Sequence, residues 1–239
     1  EAEGIDVMEL HPQGECHLLL ESVITGGYHF RPTFHYAGRT FNEDSHREKV
    51  VTLHDDGKDV SFVCIHRKRE WERTTLERLR NELHIPSGVT LQEALAWASD
   101  NRSALKEMGV SLEQLTNHKY YIGDVHITDS QMRRGDWFQL HIVLHFDNGL
   151  ALPLMSLRDA LLHGDKEFKL PDGNWFVIPD EWLARYSPMM LFGMKDKDNV
   201  LVHRSQSSLL DELSIRAAAE SHEPAIATTL PKGLHATLR

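Results

Sequence analysis

The chain has little cysteine and no long apolar run. Two of its 239 residues are cysteines, Cys16 and Cys64, and two cannot build a disulfide framework. Both lie in apolar runs that are typical of strands, so we expect buried, reduced thiols. No apolar run approaches the roughly 20 residues that cross a bilayer, and nothing resembles a signal peptide. We therefore expect no membrane association and a cytoplasmic location.

Common catalytic signatures are missing as well. The sequence has no G-x-x-x-x-G-K-[ST] phosphate loop and no G-x-S-x-G, H-E-x-x-H or C-x-x-C motif, which excludes the usual triphosphate cradle and several hydrolase and zinc patterns. We predict that this chain is not itself an enzyme. A hydrolase that uses Asp124, Asp136 or Asp172 with nearby histidines is an alternative. Those acids stand beside glycine or in turns, where carboxylates accept backbone N–H bonds.

Basic residues are outnumbered by acidic residues, 26 to 36. The formal net charge is −10, and a field of that sign repels nucleic acid over the surface as a whole. Any contact with DNA must therefore come from a local basic patch or from another part of a larger protein. Hydrophobic residues make up 41% of the chain, which is ordinary for a soluble globular protein.

Histidine is plentiful, at 16 residues, but its spacing does not predict a metal site. His141 and His145 share one face of an expected strand, where a rise of about 3.3 Å per residue separates them by about 13 Å. The same geometry keeps His29 and His35 apart unless a bulge at Pro32 brings them together. We predict no metal ion.

Periodicity predicts an α+β fold in which antiparallel hairpins and sheets pack with helices. Strands are predicted by alternating apolar positions between turn residues, over 16–24, 28–36, 49–54, 59–65, 118–122, 124–127, 137–146, 166–170, 174–178 and 200–203. Even spacing of aromatic residues predicts that their rings share one face of the second strand, where Pro32 argues for an edge position or a bulge. The turn at 55–58 predicts a hairpin of the third and fourth strands. Helices are predicted by apolar positions at steps of three and four, over 67–83, 90–97, 104–108, 154–162, 179–186 and 207–219, and Thr90-x-x-Glu93 is a capping box that begins the second of them. Residues 110–117 are ambiguous.

We divide the chain near residue 115, since strands give way to helices and then resume. The division gives an N-terminal α+β lobe of residues 1–115, a second α+β lobe of residues 116–220 and a linker of residues 221–239. No internal repeat occurs at a fixed period. The chain starts at Glu1 instead of Met, and its last segment reads as unfinished, so we expect a piece of a longer protein.

Two stretches resemble segments of a known family. The first reads FKLPDGNWFVIPDEWL from Phe168 to Leu183 and continues to Leu191-Phe192-Gly193. The second is LPKGLHATLR, from Leu230 to Arg239. The first resembles the region upstream of the motor in bacterial DNA-dependent ATPases of the Swi/Snf-type (Snf-two) family. The second is similar to the start of that family's ATPase core.

The resemblance implies a whole protein that hydrolyses ATP with Mg²⁺ and translocates on double-stranded DNA as a helicase-like motor. It implies that this chain is a noncatalytic accessory domain, which regulates or couples the downstream ATPase core in cis. It also implies that Leu238 and Arg239 begin the family's adenine-contacting loop. The alternative is a protein-interaction module that recruits the motor to RNA polymerase, to a repair complex or to another DNA-bound protein.

Basic residues supply candidate contacts with DNA or with the motor. They are Arg67, Lys68, Arg69 and Arg73 in the helix at 67–83, and Arg133 and Arg134 at a turn. The helix also carries acids that can pair with these cations at i,i+3 and i,i+4, namely Glu70, Glu72, Glu77 and Glu82. A solvated, salt-bridged helix face is therefore the competing interpretation of the helical set.

Overall fold

The computed structural model describes residues 6–24, 26–55 and 60–206. Its strands are, in chain order, β1 Asp6–Leu10, β2 Glu15–Ser22, β3 Tyr28–Tyr36, β4 Arg39–Asn42, β5 Lys49–Asp55, β6 Val60–His66, β7 Ser87–Val89, β8 Val110–Leu115, β9 Val125–Arg134, β10 Trp137–Phe146, β11 Ala151–Pro153, β12 Glu167–Lys169, β13 Trp175–Val177, β14 Met194–Asp196 and β15 Asn199–His203. Its α-helices are α1 Arg69–Asn81, α2 Leu91–Asp100, α3 Arg102–Glu107, α4 Arg158–His163 and α5 Asp180–Phe192. Short 3-10 turns occupy Leu154–Leu157 and Arg204–Gln206.

The predicted α+β class is confirmed, because the strands of the described residues form four sheets that pack with the helices. The sheets have the strand orders β1-β6-β5, β4-β3-β2-β8 with β7 on β3, β11-β10-β15-β14 with β9 on β10, and β12-β13. Most neighbouring strands are antiparallel, whereas β1–β6 and β2–β8 are parallel. The second parallel pair places the ambiguous residues 110–117 largely in a strand.

Even spacing of aromatic residues correctly predicts one face of β3. Phe30, Phe34 and Tyr36 are all buried, and Pro32 is buried with them. β3 is an interior strand, yet β4 pairs only residues 33–36 of it and β7 pairs only residues 28–29. Pro32 therefore faces a gap between two short partner strands, which suits a residue that lacks an N–H group.

Most predicted helix ends follow from local chemistry. The capping box that begins α2 is present: the Thr90 hydroxyl accepts the Glu93 N–H at 3.3 Å, and the Glu93 carboxylate accepts the Thr90 N–H at 2.8 Å. α4 ends at Gly164, whose φ of 73° suits glycine. α5 continues beyond the predicted end at residue 186 and contains Pro188. The predicted helix at 207–219 and linker at 221–239 lie outside the described residues.

Buried apolar side chains form two clusters that divide between Tyr120 and Tyr121. The first core draws its side chains from the strands and helices before residue 121, including Leu18, Phe34, Leu79, Ala94 and Val110. The second core draws on later elements, including Leu144, Leu157, Ile178, Met189 and Val202. The lobe boundary near residue 115 stays a prediction, because one hairpin serves both cores.

That hairpin is β12–β13. Trp175 and Val177 pack against the first core, while Phe176, between them, belongs to the second. The Trp175 N–H donates to the Lys119 carbonyl at 2.8 Å, and the Trp175 carbonyl accepts the Tyr121 N–H at 2.8 Å. Successive side chains of a strand point to opposite faces, so β13 joins the two cores.

α5 packs on the second core and ends against β15. Trp182 lies against Phe176, with ring centroids 5.6 Å apart. At the end of α5, a Cβ on Gly193 would stand 2.4 Å from Val200 Cγ1 and 2.6 Å from the Met189 carbonyl oxygen. The backbone of Gly193 is extended, with φ −82°, so close approach of β15 is the reason for glycine here.

We expect Gly193→Ala to lower the free energy of unfolding by about 1–3 kcal/mol, because the added methyl group overpacks a filled site. Urea denaturation measures the change. Lys195→Ala is the control, since Lys195 is exposed and surface substitutions usually change this energy by less than about 0.5 kcal/mol. Equal stability of the two variants would contradict the packing account.

Candidate functional site

Arg67 is buried inside the protein. Its Nε and Nη2 atoms donate to the Glu72 carboxylate at 2.9 and 2.7 Å. Its Nη1 atom donates to the carbonyls of Ser45 and Arg47 at 3.0 and 2.7 Å. The Arg67 side chain is 0% exposed. A guanidinium without exposed surface cannot contact a phosphate, so the prediction that Arg67 contacts DNA or a partner is corrected.

The Arg67–Glu72 pair sits in a larger set of hydrogen bonds. The Tyr36 hydroxyl donates to Glu72 Oε1 at 2.9 Å and accepts the Lys68 N–H at 3.1 Å. The Phe41 ring lies 4.5 Å from the guanidinium carbon of Arg67. Burial and the hydrogen bond to Glu72 raise the pKa of Tyr36 above its ordinary value, which keeps this hydroxyl a donor. The cluster joins α1 to β3, β4 and the segment before β5, which is a structural role.

All four arginines of α1 are paired. Ion pairs join Arg69 to Glu72, Arg73 to Glu70, Arg78 to Glu82 and Arg80 to Glu43. Three of these have the i,i+3 or i,i+4 spacing that the competing interpretation requires. A phosphate would have to displace carboxylates from this face. Contact between DNA or a partner and Lys68, Arg69 or Arg73 stays a prediction.

Arg133 and Arg134 lie at the exposed tip of the β9–β10 hairpin, opposite Phe138 and Trp137. The structure adds Arg204, whose N–H donates to the Asp136 carbonyl at 2.8 Å. Among the described residues, none of the three arginines forms an ion pair. We call Arg133, Arg134 and Arg204 the arginine tip. Nothing in the sequence places Arg204 here, since only the pairing of β15 with β10 brings it to this tip.

A second exposed feature lies at the end of α5. Leu191, Phe192 and Met194 expose 66%, 54% and 56% of their surface. We call these three residues the α5 end patch. Two of them, Leu191 and Phe192, belong to the stretch that resembles the Swi/Snf-type family. Packing explains the buried part of that stretch, but it does not explain this exposed apolar end.

His141 and His145 of β10 have separate partners. His141 Nδ1 bonds Asn199 Oδ1 at 2.9 Å, and His145 Nε2 bonds Thr128 Oγ1 at 2.9 Å. A different group brings ligand atoms within 4.8 Å of one another, namely Glu9, His11 and His66. No spacing within a single segment predicts this group, since two strands distant in sequence supply it.

Two of the acids that were weighed as hydrolase residues serve local structure. Asp172 Oδ1 accepts the Asn174 N–H at 2.9 Å, and Asp172 Oδ2 accepts the Asn148 amide at 3.1 Å. Asp124 accepts the Ser99 hydroxyl at 3.2 Å. The contact of Asp172 with the Asn174 N–H is the backbone hydrogen bond expected of a carboxylate in a turn, whereas the donors from Asn148 and Ser99 are side chains.

No known protein family, curated protein sequence or solved structure matches this chain. The resemblance to Swi/Snf-type proteins therefore rests on the quoted residues alone. Leu238 and Arg239, which it places at the start of an adenine-contacting loop, lie outside the described residues. Among the described helices, none is long and apolar enough to cross a membrane.

We expect Arg67→Ala to lower the free energy of unfolding by about 3–5 kcal/mol, because it removes the buried counter-charge of Glu72 and leaves this carboxylate only the partly exposed Arg69 as an ion-pair partner. Urea denaturation followed by circular dichroism measures the loss. Arg73→Ala removes an exposed ion pair from the same helix and is the matched control. If both variants lose equally little stability, the buried pair is not what holds α1 in place.

Proposed function

We propose that this chain is a noncatalytic accessory domain of a Swi/Snf-type ATP-dependent DNA translocase. Its partner is the ATPase core of the same polypeptide, and its docking surface is the α5 end patch. The observation that carries the proposal is the exposure of Leu191 and Phe192 inside the stretch that resembles the family. ATP and Mg²⁺ belong to the motor in this proposal.

Exposure of the patch supports docking, because proteins rarely leave several large apolar side chains together in water without an interaction. Lys195, Lys197 and Asp198, all exposed, stand next to the patch in sequence. An apolar centre with charges of both signs at its rim suits a motor surface of the same kind, on which opposite charges can pair. A partner on the same polypeptide is held at high effective concentration, so a small patch suffices.

The anchoring of α5 supports a coupling role. The helix begins after the hairpin shared by the two cores, and Trp182 contacts Phe176 of that hairpin. A motor bound at the end of α5 is therefore connected through one helix to both cores. The order of the two resembling stretches, with LPKGLHATLR after α5, agrees with a motor that follows this domain.

We expect Leu191→Ser combined with Phe192→Ser, in the full-length protein, to change DNA-stimulated ATP hydrolysis by about fivefold or more, which corresponds to the smallest common coupling free energies. Steady-state ATPase assays with and without duplex DNA measure the effect. Val51→Ser combined with Leu53→Ser is the control, since these β5 residues are 55% and 59% exposed.

An unchanged basal rate, DNA stimulation and DNA affinity in the patch variant would overturn the proposal. The recruitment alternative predicts a different result. In that case, the patch variant keeps normal ATPase activity and loses binding to RNA polymerase or to a repair complex. The sequence of the polypeptide after Arg239 is a further test. If it lacks a Tyr-Gln pair followed by a phosphate loop, the proposed motor is contradicted.

The arginine tip is the proposed secondary DNA contact, since its three guanidinium groups have no carboxylate partner among the described residues. Replacing Arg133, Arg134 and Arg204 by alanine should weaken binding to duplex DNA of any sequence. The slope of log affinity against log salt should decrease by about 1 for each phosphate that the variant no longer binds. Fluorescence anisotropy at several salt concentrations measures both. Arg78→Ala combined with Arg80→Ala, which removes two paired cations, should leave the slope unchanged.

A further inference from the structure

Four potential metal ligands lie around the ends of two parallel strands. Glu9 of β1 lies opposite Cys64 of β6 in the register of this pair. His66 follows Cys64 by two residues and shares its face of β6. His11 stands one residue beyond the end of β1, and its ring stacks on His66, so the E-x-H and C-x-H sequences form one block.

The ligand atoms of this block converge. Those of Glu9, His11 and His66 lie within 4.8 Å of one another, and the His66 Nε2 atom also contacts the Glu9 carboxylate. The Cys64 Sγ atom stands 3.6 Å from His66 Nε2. Two ligands on a tetrahedral zinc ion, with bonds of about 2.3 Å to sulfur and about 2.0 Å to nitrogen, are about 3.6 Å apart. The sulfur and the nitrogen therefore already have the separation that one ion requires.

His66 contacts the other three side chains of the block, while Cys64 lies outside the group of three whose ligand atoms are within 4.8 Å of one another. The His11 and His66 rings are stacked with centroids 4.4 Å apart. His11 and Glu9 are exposed, whereas His66 is partly buried and Cys64 is buried. The exposed side chains can thus rotate toward a position that the inner pair defines.

We propose that Glu9, His11, Cys64 and His66 bind one zinc ion, at a site that does not depend on the function proposed above. Two imidazoles, a thiolate and a carboxylate form a borderline-soft ligand set that zinc prefers, whereas Mg²⁺ and Ca²⁺ prefer oxygen ligands alone. Four protein ligands leave no open position, so the ion is structural. It links β1 to β6, two strands that are far apart in the sequence.

The uptake of zinc depends on pH. Zinc displaces the proton of a coordinating thiol, so zinc binding at this site releases a proton and weakens as the pH falls. Lys49, opposite His66 on β5, is the neighbouring cation that opposes the ion.

The test uses the 239-residue chain, purified without a histidine tag and freed of metal with a chelator. Co²⁺ is added as the spectroscopic probe, and Zn²⁺ is then added in competition. We expect one equivalent of Co²⁺ to give the visible bands of tetrahedral cobalt and a near-ultraviolet sulfur-to-cobalt band. Zn²⁺ should abolish both, and it should raise the midpoint of thermal unfolding.

Variants separate the ligands from the rest of the surface. His11→Ala alters an exposed side chain, so folding is preserved, and it should weaken zinc binding by about 100-fold or more, since even outer-shell changes cost about 10–100-fold. Cys64→Ser should remove the sulfur-to-cobalt band. His145→Ala, on another sheet, is the control and should bind normally. Octahedral cobalt spectra, or equal zinc affinity in wild type and His11→Ala with normal circular dichroism, would overturn the site.

Discussion

Alternation of side chains along β13 is the constraint on which the rest of this structure depends. Trp175 and Val177 face the first core, and Phe176 faces the second. On the neighbouring segment, Tyr120 likewise belongs to the first core and Tyr121 to the second. This segment forms hydrogen bonds with both the N–H and the carbonyl of Trp175. Both cores include residues from this small region, so a shift of β13 by one residue would take Phe176 out of the second core and Trp175 and Val177 away from the first.

The buried Arg67–Glu72 pair shows how a charged residue can be misread from sequence. Arg67 opens a run of cations, and such a run suggests a binding surface. In the structure, every nitrogen of this guanidinium instead donates to a carboxylate or a carbonyl, and the Phe41 ring covers it. Replacement by a neutral side chain would remove the counter-charge of Glu72, which is why we regard the residue as part of the scaffold.

Local patterns predicted much of the fold. The Thr90–Glu93 capping box, the β5–β6 hairpin and the aromatic face of β3 all follow from neighbours within a few residues. The parallel pairs β1–β6 and β2–β8 do not, because their registers join segments far apart in sequence. For the same reason, the sequence could name Arg133 and Arg134 but not Arg204. The grouping of Glu9, His11, Cys64 and His66 likewise cannot be predicted before the pairing of β1 with β6 is known.

α5 connects the α5 end patch to the β12–β13 hairpin, where the two cores meet. Its thirteen residues make a rod of about 20 Å at about 1.5 Å per residue. Near its N-terminal end, Trp182 contacts the hairpin that joins the two cores. Its C-terminal end carries Leu191 and Phe192, next to the closely packed Gly193. In the proposed docked state, a load applied at the outer end of α5 would therefore pass along one helix to Trp182 and Phe176, where the hairpin joins the two cores.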